Sequence, residues 1–221
     1  MMHEHDGAIT VVSGLARCGS SMVMRMLRAG GMELYCDHET SFETDKMLGL
    51  PDDHEWLGQC VGKAVKLLDP QVFTPPVSRA YRVIWLSRDA VEQAKSQVKF
   101  LTMLGVVSTE LSKDPETARR ISESLRLDEV IALAIWGDRR ARMLMLSFEG
   151  LLADPMYTAG LIADFVSLSR ESVLGMARIV VSRGPECYPG LLELKEMKGD
   201  SGDESRAQGG LLVNAAEGGG A

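Results

Sequence analysis

The sequence predicts an α/β domain: three layers, with a mainly parallel central sheet flanked by helices. Two observations predict it. Short apolar runs at 8–13, 63–68, 81–86 and 142–148, the first of them rich in β-branched residues, alternate with segments of helical periodicity. One of those runs, Met143-Leu144-Met145-Leu146, is continuously apolar, as strands covered on both faces are. Strands separated by helices are joined by crossovers and therefore run parallel.

Each element follows from its own residues. Ala8 to Ser13 is a buried strand that ends at Gly14. Met22, Val23, Met26 and Leu27 then lie on one helical face, and Gly30-Gly31 stops that helix. Met22, Met24 and Met26 are expected to pack in the core, as are Trp56, Trp85 and Trp136. The strands at 63–68 and 81–86 are separated by a turn at Pro75-Pro76. A helix over 89–101 carries Val91, Ala94, Val98 and Leu101. Asp114-Pro115 supplies an N-cap and a proline at the first helical position. The long helix that it opens runs to about Arg140, with Ile121, Leu125, Val130, Ile131, Ala134 and Ile135 among its apolar positions. A fourth strand at 142–148 and helices at about 155–166 and 171–181 follow. From Lys198 the composition shifts, and seven of the last 24 residues are Gly. The chain therefore divides into a flexible N-terminus (1–7), one domain (8–197) and a disordered Gly-rich tail (198–221).

Charge narrows the choice of partner. The 221 residues hold 24 Lys+Arg against 31 Asp+Glu, a net charge of −7. A general nucleic-acid binder carries the opposite excess. The charge is unevenly spread, however: residues 37–55 hold seven acids and one Lys, whereas residues 60–100 hold seven Lys/Arg and three acids. One small polyanion fits that distribution. The four cysteines form no CxxC pair, which predicts reduced thiols. Met1 to Asp6 is polar rather than basic then apolar, and no apolar run reaches the length of a membrane span. A cytoplasmic protein with no membrane partner is expected.

Chemistry concentrates where the first strand ends. It runs directly into Gly14-Leu15-Ala16-Arg17-Cys18-Gly19-Ser20-Ser21 and then into a helix. A strand, a Gly-bounded turn and a helix N-terminus aim several backbone N–H groups at one point, which suits phosphate or sulfate. Arg17 can add a bidentate donor. A thiol at a helix N-terminus, Cys18, is expected to be acidic. Loops that bind ATP or GTP place Lys before the Ser/Thr, and that position here is Ser20. The strands at 81–86 and 143–146 are followed by Ser87-Arg88 and Ser147-Phe148, so a magnesium-binding acid is not expected at a strand end. Arg88 emerges where the third strand stops, and Ser96 lies about two helical turns further on, within reach of the same small anion.

Several segments together resemble the PAPS-dependent sulfotransferases, particularly the bacterial sulfotransferase-family proteins. Residues 13–21 resemble that family's 5′-phosphosulfate loop, with Cys18 and Ser20 in place of the usual Ser and Thr and Ala16 in place of Pro. Ser41-Phe42-Glu43 resembles its aromatic-Glu segment, and Gly62 to Lys66 with Tyr81 to Ile84 its next two strands. Arg88 and Ser96 have the spacing of its 3′-phosphate motif, and Ser147 to Pro155 resembles Tyr-Glu-x-Leu-Leu-x-Asp-Pro. The resemblance covers residues 8–190 and implies a P-loop-type fold. It implies transfer of a sulfuryl group from 3′-phosphoadenosine-5′-phosphosulfate to an acceptor hydroxyl or amine, leaving adenosine 3′,5′-bisphosphate, with no metal. The acceptor class is a small molecule, carbohydrate or peptide.

By the same resemblance Arg17, Cys18, Gly19, Ser20 and Ser21 hold the 5′-phosphate, and Arg88 and Ser96 hold the 3′-phosphate. Arg17 also stabilises charge on the leaving phosphate. Many members carry a catalytic His in a Lys-x-His pattern, and Lys66-Leu67-Leu68-Asp69 has none. Glu43 is the first candidate for the catalytic base, with Asp37 and His38 behind it. Two alternatives compete: a P-loop small-molecule kinase, and a non-catalytic nucleotide-binding relative of the fold.

Overall fold

The computed structural model describes residues 7–181 and Gly184. The readings of residues 1–6, Cys187 and the Gly-rich tail lie outside the described residues. Strand β1 (Ile9–Gly14) is buried at all six positions. It sits at the centre of a five-stranded, fully parallel sheet with β2 (Leu34–Tyr35), β3 (Ala64–Leu68), β4 (Tyr81–Ser87) and β5 (Arg142–Ser147). The order is β2-β3-β1-β4-β5. Gly14 pairs in register with Leu68 of β3 and Leu86 of β4, so three carboxyl ends meet at one place. Crevices at such ends, where the chain leaves to opposite sides, are where α/β folds bind ligands.

The connections are helical. Helix α1 (Ser20–Ala29) follows β1. Helices α2 (Ala90–Met103), α3 (Thr109–Lys113) and α4 (Pro115–Asp138) lead from β4 to β5. Helices α5 (Phe148–Ala153), α6 (Pro155–Val166) and α7 (Arg170–Ala177) come last. Alternate side chains of each strand enter one of two apolar clusters. Val12 and Ile84 pack with Met24, Met26, Leu27 and Ile162 on the side of α1 and α6. Val11, Val83 and Trp85 pack with Ala132 and Trp136 of α4 on the other side. Two clusters separated by one sheet make the three layers that the alternation of elements predicts.

Four details differ from the sequence reading. Strand β2 is only two residues long, too short to leave a period in the sequence. Strand β5 is an edge strand, where Met145 is 52% exposed, because nothing pairs on its outer side among the described residues. It ends at Ser147, whose side chain caps the backbone N–H of Gly150, so Phe148 opens helix α5 instead of closing the strand. On α4 the buried positions are Ser122, Leu125, Ala132 and Trp136, whereas Val130 and Ile131 face solvent. The three tryptophans and Met24 and Met26 are buried, as expected.

Candidate functional site

The loop from Gly14 to Gly19 is built by backbone conformations that side chains resist. A Cβ on Gly14 would lie 2.4 Å from the Leu86 carbonyl oxygen and 2.7 Å from Cys18 Sγ. Gly19 has φ +101°, and a Cβ there would lie 2.6 Å from the Phe148 ring. Between them Arg17 adopts φ +69°, a left-handed conformation that costs a non-glycine residue roughly 1–2 kcal/mol. Strain of this kind is retained where its surroundings enforce it. Here the Arg88 guanidinium donates to the Arg17 carbonyl oxygen (3.3 Å). The side-chain amide of Gln93 donates to the carbonyl oxygens of Leu15 (3.1 Å) and Ala16 (2.8 Å).

The loop then delivers the chain to α1. Gly19 is its N-cap and supplies no capping side chain, and no acidic residue stands in the first turn. The first N–H groups of a helix are left without intrahelical partners, and the dipole adds partial positive charge there. Ser20 is buried and Ser21 half-buried at this position.

Residues far apart in sequence converge on the loop. Arg17 Nε donates to Ser96 Oγ of α2 (3.3 Å), and its guanidinium lies 5.0 Å from the Phe100 ring centroid. The Arg88 guanidinium lies over the Phe148 ring at 4.6 Å, the same ring that abuts Gly19. Arg17, Arg88 and Ser96, selected from three segments of the sequence, thus form one cluster, which the Phe148 ring joins to Gly19.

The acidic candidates lie on the opposite side of the loop. Lys66, a buried lysine in the middle of β3, pairs with Glu43 Oε1 at 2.9 Å and donates to the Ser41 carbonyl oxygen (2.6 Å) and Ser21 Oγ (3.4 Å). Glu43 is therefore tied to the start of α1 through one cation. Asp37 accepts from Thr44 Oγ1 (2.7 Å) and from the Asp45 N–H (3.1 Å), bonds that hold it below the ordinary carboxylate range, the Thr44 hydroxyl contributing most. The His38 ring lies 3.0 Å from Asp45, and that hydrogen bond raises its pKa.

Two sequence expectations are corrected. Cys18 is not acidic: full burial pushes its thiol up to about 11, overriding the hydrogen bond from Ser20. An acid does stand at the end of an apolar strand. Asp69 follows β3 directly, accepts from the Ala16 N–H at Oδ1 (3.1 Å) and donates its own N–H to the Gly14 carbonyl oxygen (3.1 Å).

No family model matches the chain, and no curated protein matches it by sequence. Among solved structures it is similar to two of retinol dehydratase, one in a complex with retinol and PAP, the other with androsterone and the inactive cofactor PAP. The identities are 17% and 18%, and the TM-score is 0.52 for each. The matches cover 76% and 78% of this chain, and 63% and 64% of those chains. This is a sulfotransferase-type fold. The chain spans less than two thirds of the length of those two solved proteins, and at such identities the likeness concerns the architecture.

Within this sulfotransferase-type fold, sequence reasoning missed four contributors to the site. Asp69 was legible as an acid immediately after an apolar run, and Lys66 as a cation inside one. Gln93 and Phe148 left no such signal, because their contacts arise only once α2 and α5 are docked on the loop.

Proposed function

We propose that the chain is a sulfotransferase that uses 3′-phosphoadenosine-5′-phosphosulfate and transfers to a hydroxyl or amine of a small-molecule, carbohydrate or peptide acceptor. One observation carries the reading: the strained loop residue Arg17 is bonded to both Arg88 and Ser96, which links a 5′-anion loop to a candidate 3′-phosphate pair. The two retinol dehydratase complexes hold PAP, one with retinol and the other with androsterone, which agrees with a doubly phosphorylated nucleotide and a small acceptor.

The residues present fit the nucleotide. Gly14 and Gly19 permit the loop's tight backbone path, and the first turn of α1 offers donors with no acidic residue in that turn. In this reading Cys18, Gly19, Ser20 and Ser21 hold the 5′-phosphate, and Arg88 and Ser96 hold the 3′-phosphate. When bound, the nucleotide supplies an activated sulfuryl group. Arg17 and the α1 N-terminus stabilise negative charge that grows on the bridging oxygen of the 5′-phosphate. Glu43, positioned by Lys66, is the residue we assign to the acceptor's proton.

A thermal-shift titration with adenosine 3′,5′-bisphosphate, ADP and ATP, each with and without magnesium, tests the proposal. Stabilisation is expected to be largest with the bisphosphate and independent of metal. Asp69, at the end of the strand beside β1, favours the kinase as the second reading, and a larger shift with ATP plus magnesium would establish that one instead. Binding of the bisphosphate without turnover over a broad acceptor panel would identify a non-catalytic relative.

A further inference from the structure

We propose that Asp69 is a positioning residue of the β1–α1 loop whose carboxyl takes up a proton when an adenosine 3′,5′-bisphosphate occupies that loop. The proposal rests on the nucleotide reading above and adds proton linkage to the same site.

Geometry sets the problem. Asp69 brackets the loop base with two hydrogen bonds, from Ala16 N–H to its carboxylate and from its own N–H to Gly14. It holds this place at φ +50°, a left-handed conformation that Asp tolerates better than most residues. An acceptor of loop N–H bonds with negative charge is useful while the loop is empty of anions. Once a dianionic phosphate sits on the other side of the same loop, two like charges face each other through a few backbone atoms. Like charges at close range force one group to keep a proton.

The surroundings favour the carboxyl as that group. Its pKa is already pushed up to about 6, chiefly by burial. Every element packed there bears on it. Asp128 of α4 and Glu43 of the β2–β3 connection both raise it. Cys18 of the loop is an uncharged thiol. Lys66, the cation of its own strand, is engaged by Glu43.

A place for the proton exists as well. The Gln71 side chain hydrogen-bonds the Asp69 carboxylate, while Gln71 Oε1 is buried with no hydrogen-bond partner. A buried carbonyl oxygen without a donor costs about 1–3 kcal/mol. Rotating that amide by half a turn presents Oε1 to a protonated Asp69, so the side chain that donates to the carboxylate can accept from the carboxyl. The proton comes from solvent, one O–H bond forms on the carboxyl oxygen that does not face Ala16, and no bond of the nucleotide changes.

The experiment is titration calorimetry of the full chain with adenosine 3′,5′-bisphosphate at pH 7 in two buffers of different ionisation enthalpy, repeated from pH 6.5 to 8. Asp69→Asn is the variant, since its amide oxygen still accepts from Ala16 but cannot titrate. For a rise of one pKa unit on binding, the wild type is expected to take up about 0.4 of a proton at pH 7, and its affinity to fall by about threefold over the range. The nucleotide's own phosphates, with a second pKa near 6, release protons on binding and so work in the opposite sense. Asp69→Asn should show only the nucleotide's proton release, with an affinity that does not fall as pH rises. Equal uptake and slope in the two proteins overturn the proposal. Should the variant not fold, net proton release by the wild type with an affinity that does not fall as pH rises overturns it. If neither protein binds the bisphosphate, the sulfotransferase reading falls first and this one with it.

Discussion

At Gly19 one methyl group would have to share space with the Phe148 ring, and the backbone is left-handed there. Gly19→Ala is therefore expected to destabilise the protein by roughly 2–3 kcal/mol, the sum of overpacking and conformational cost. A urea melt measures it, and a loss under 0.5 kcal/mol would contradict the packing described. Arg88 lies over that ring and donates to Arg17, so its removal should act mainly on the ligand's 3′ end. Charged hydrogen bonds are worth about 1.5–3 kcal/mol, hence Arg88→Ala should weaken adenosine 3′,5′-bisphosphate about 10- to 100-fold and ADP much less. A uniform loss for both would remove Arg88 from the 3′-phosphate. Asp69 makes a prediction without ligand. Its folded pKa, about 6, stands above the ordinary Asp value near 3.9. The unfolded chain thus gives up this proton more readily, and stability is lost as pH rises from about 4 to 6. The two-unit shift corresponds to about 3 kcal/mol. Wild type should lose stability over that window relative to Asp69→Asn, as read from denaturation midpoints.

At the scale of elements, what the sequence makes legible is what has period and punctuation. Residues 8–13 show β1 because five apolar or β-branched residues and a serine end at a glycine, and Asp114-Pro115 shows the start of α4 because both residues have one favoured place. The side chain of Asp114 does accept from the Glu116 N–H. The phosphate-type loop was legible for a related reason, since two glycines bracket a turn between a strand and a helix. The exposed face of α4 was not. Val130 and Ile131 look like core positions, yet Trp136, fully buried, fixes which side of the helix meets the sheet. Trp136 Nε1 donates to Ser13 Oγ on β1 (3.2 Å), and its ring meets Tyr81 edge-on at 5.4 Å. Such an anchor joins two elements 123 residues apart, which no local window contains. Ser13→Ala leaves the indole N–H buried without an acceptor, so a loss of about 1–3 kcal/mol is expected in the same urea assay. Trp136→Phe should cost less than that pair of effects suggests, because the donor and its desolvation penalty disappear together.

Over the whole molecule, net charge and site charge have opposite signs. The chain carries −7, but Arg17 and Arg88 lie just beyond the carboxyl ends of β1 and β4, Lys66 of β3 reaches the start of α1, and the acids of residues 37–55 lie mostly on exposed turns. A polyanion attracted to this pocket must approach a molecule that repels it at long range. The pocket's pull acts over less than the Debye length, about 8 Å at physiological salt. Binding should therefore depend on contact more than on steering, and its on-rate should rise with moderate salt as the long-range repulsion is screened. Equilibrium stabilisation follows from mass action alone. A ligand at one hundred times its dissociation constant adds about 2.7 kcal/mol to folding, which for a protein of this size corresponds to roughly 5–10 °C in melting temperature. Adenosine 3′,5′-bisphosphate is expected to give that shift with or without magnesium, and ADP at equal concentration to give less. A bisphosphate shift no larger than that of ADP would mean that Arg88 and Ser96 do not read the second phosphate, whatever the loop does with the first.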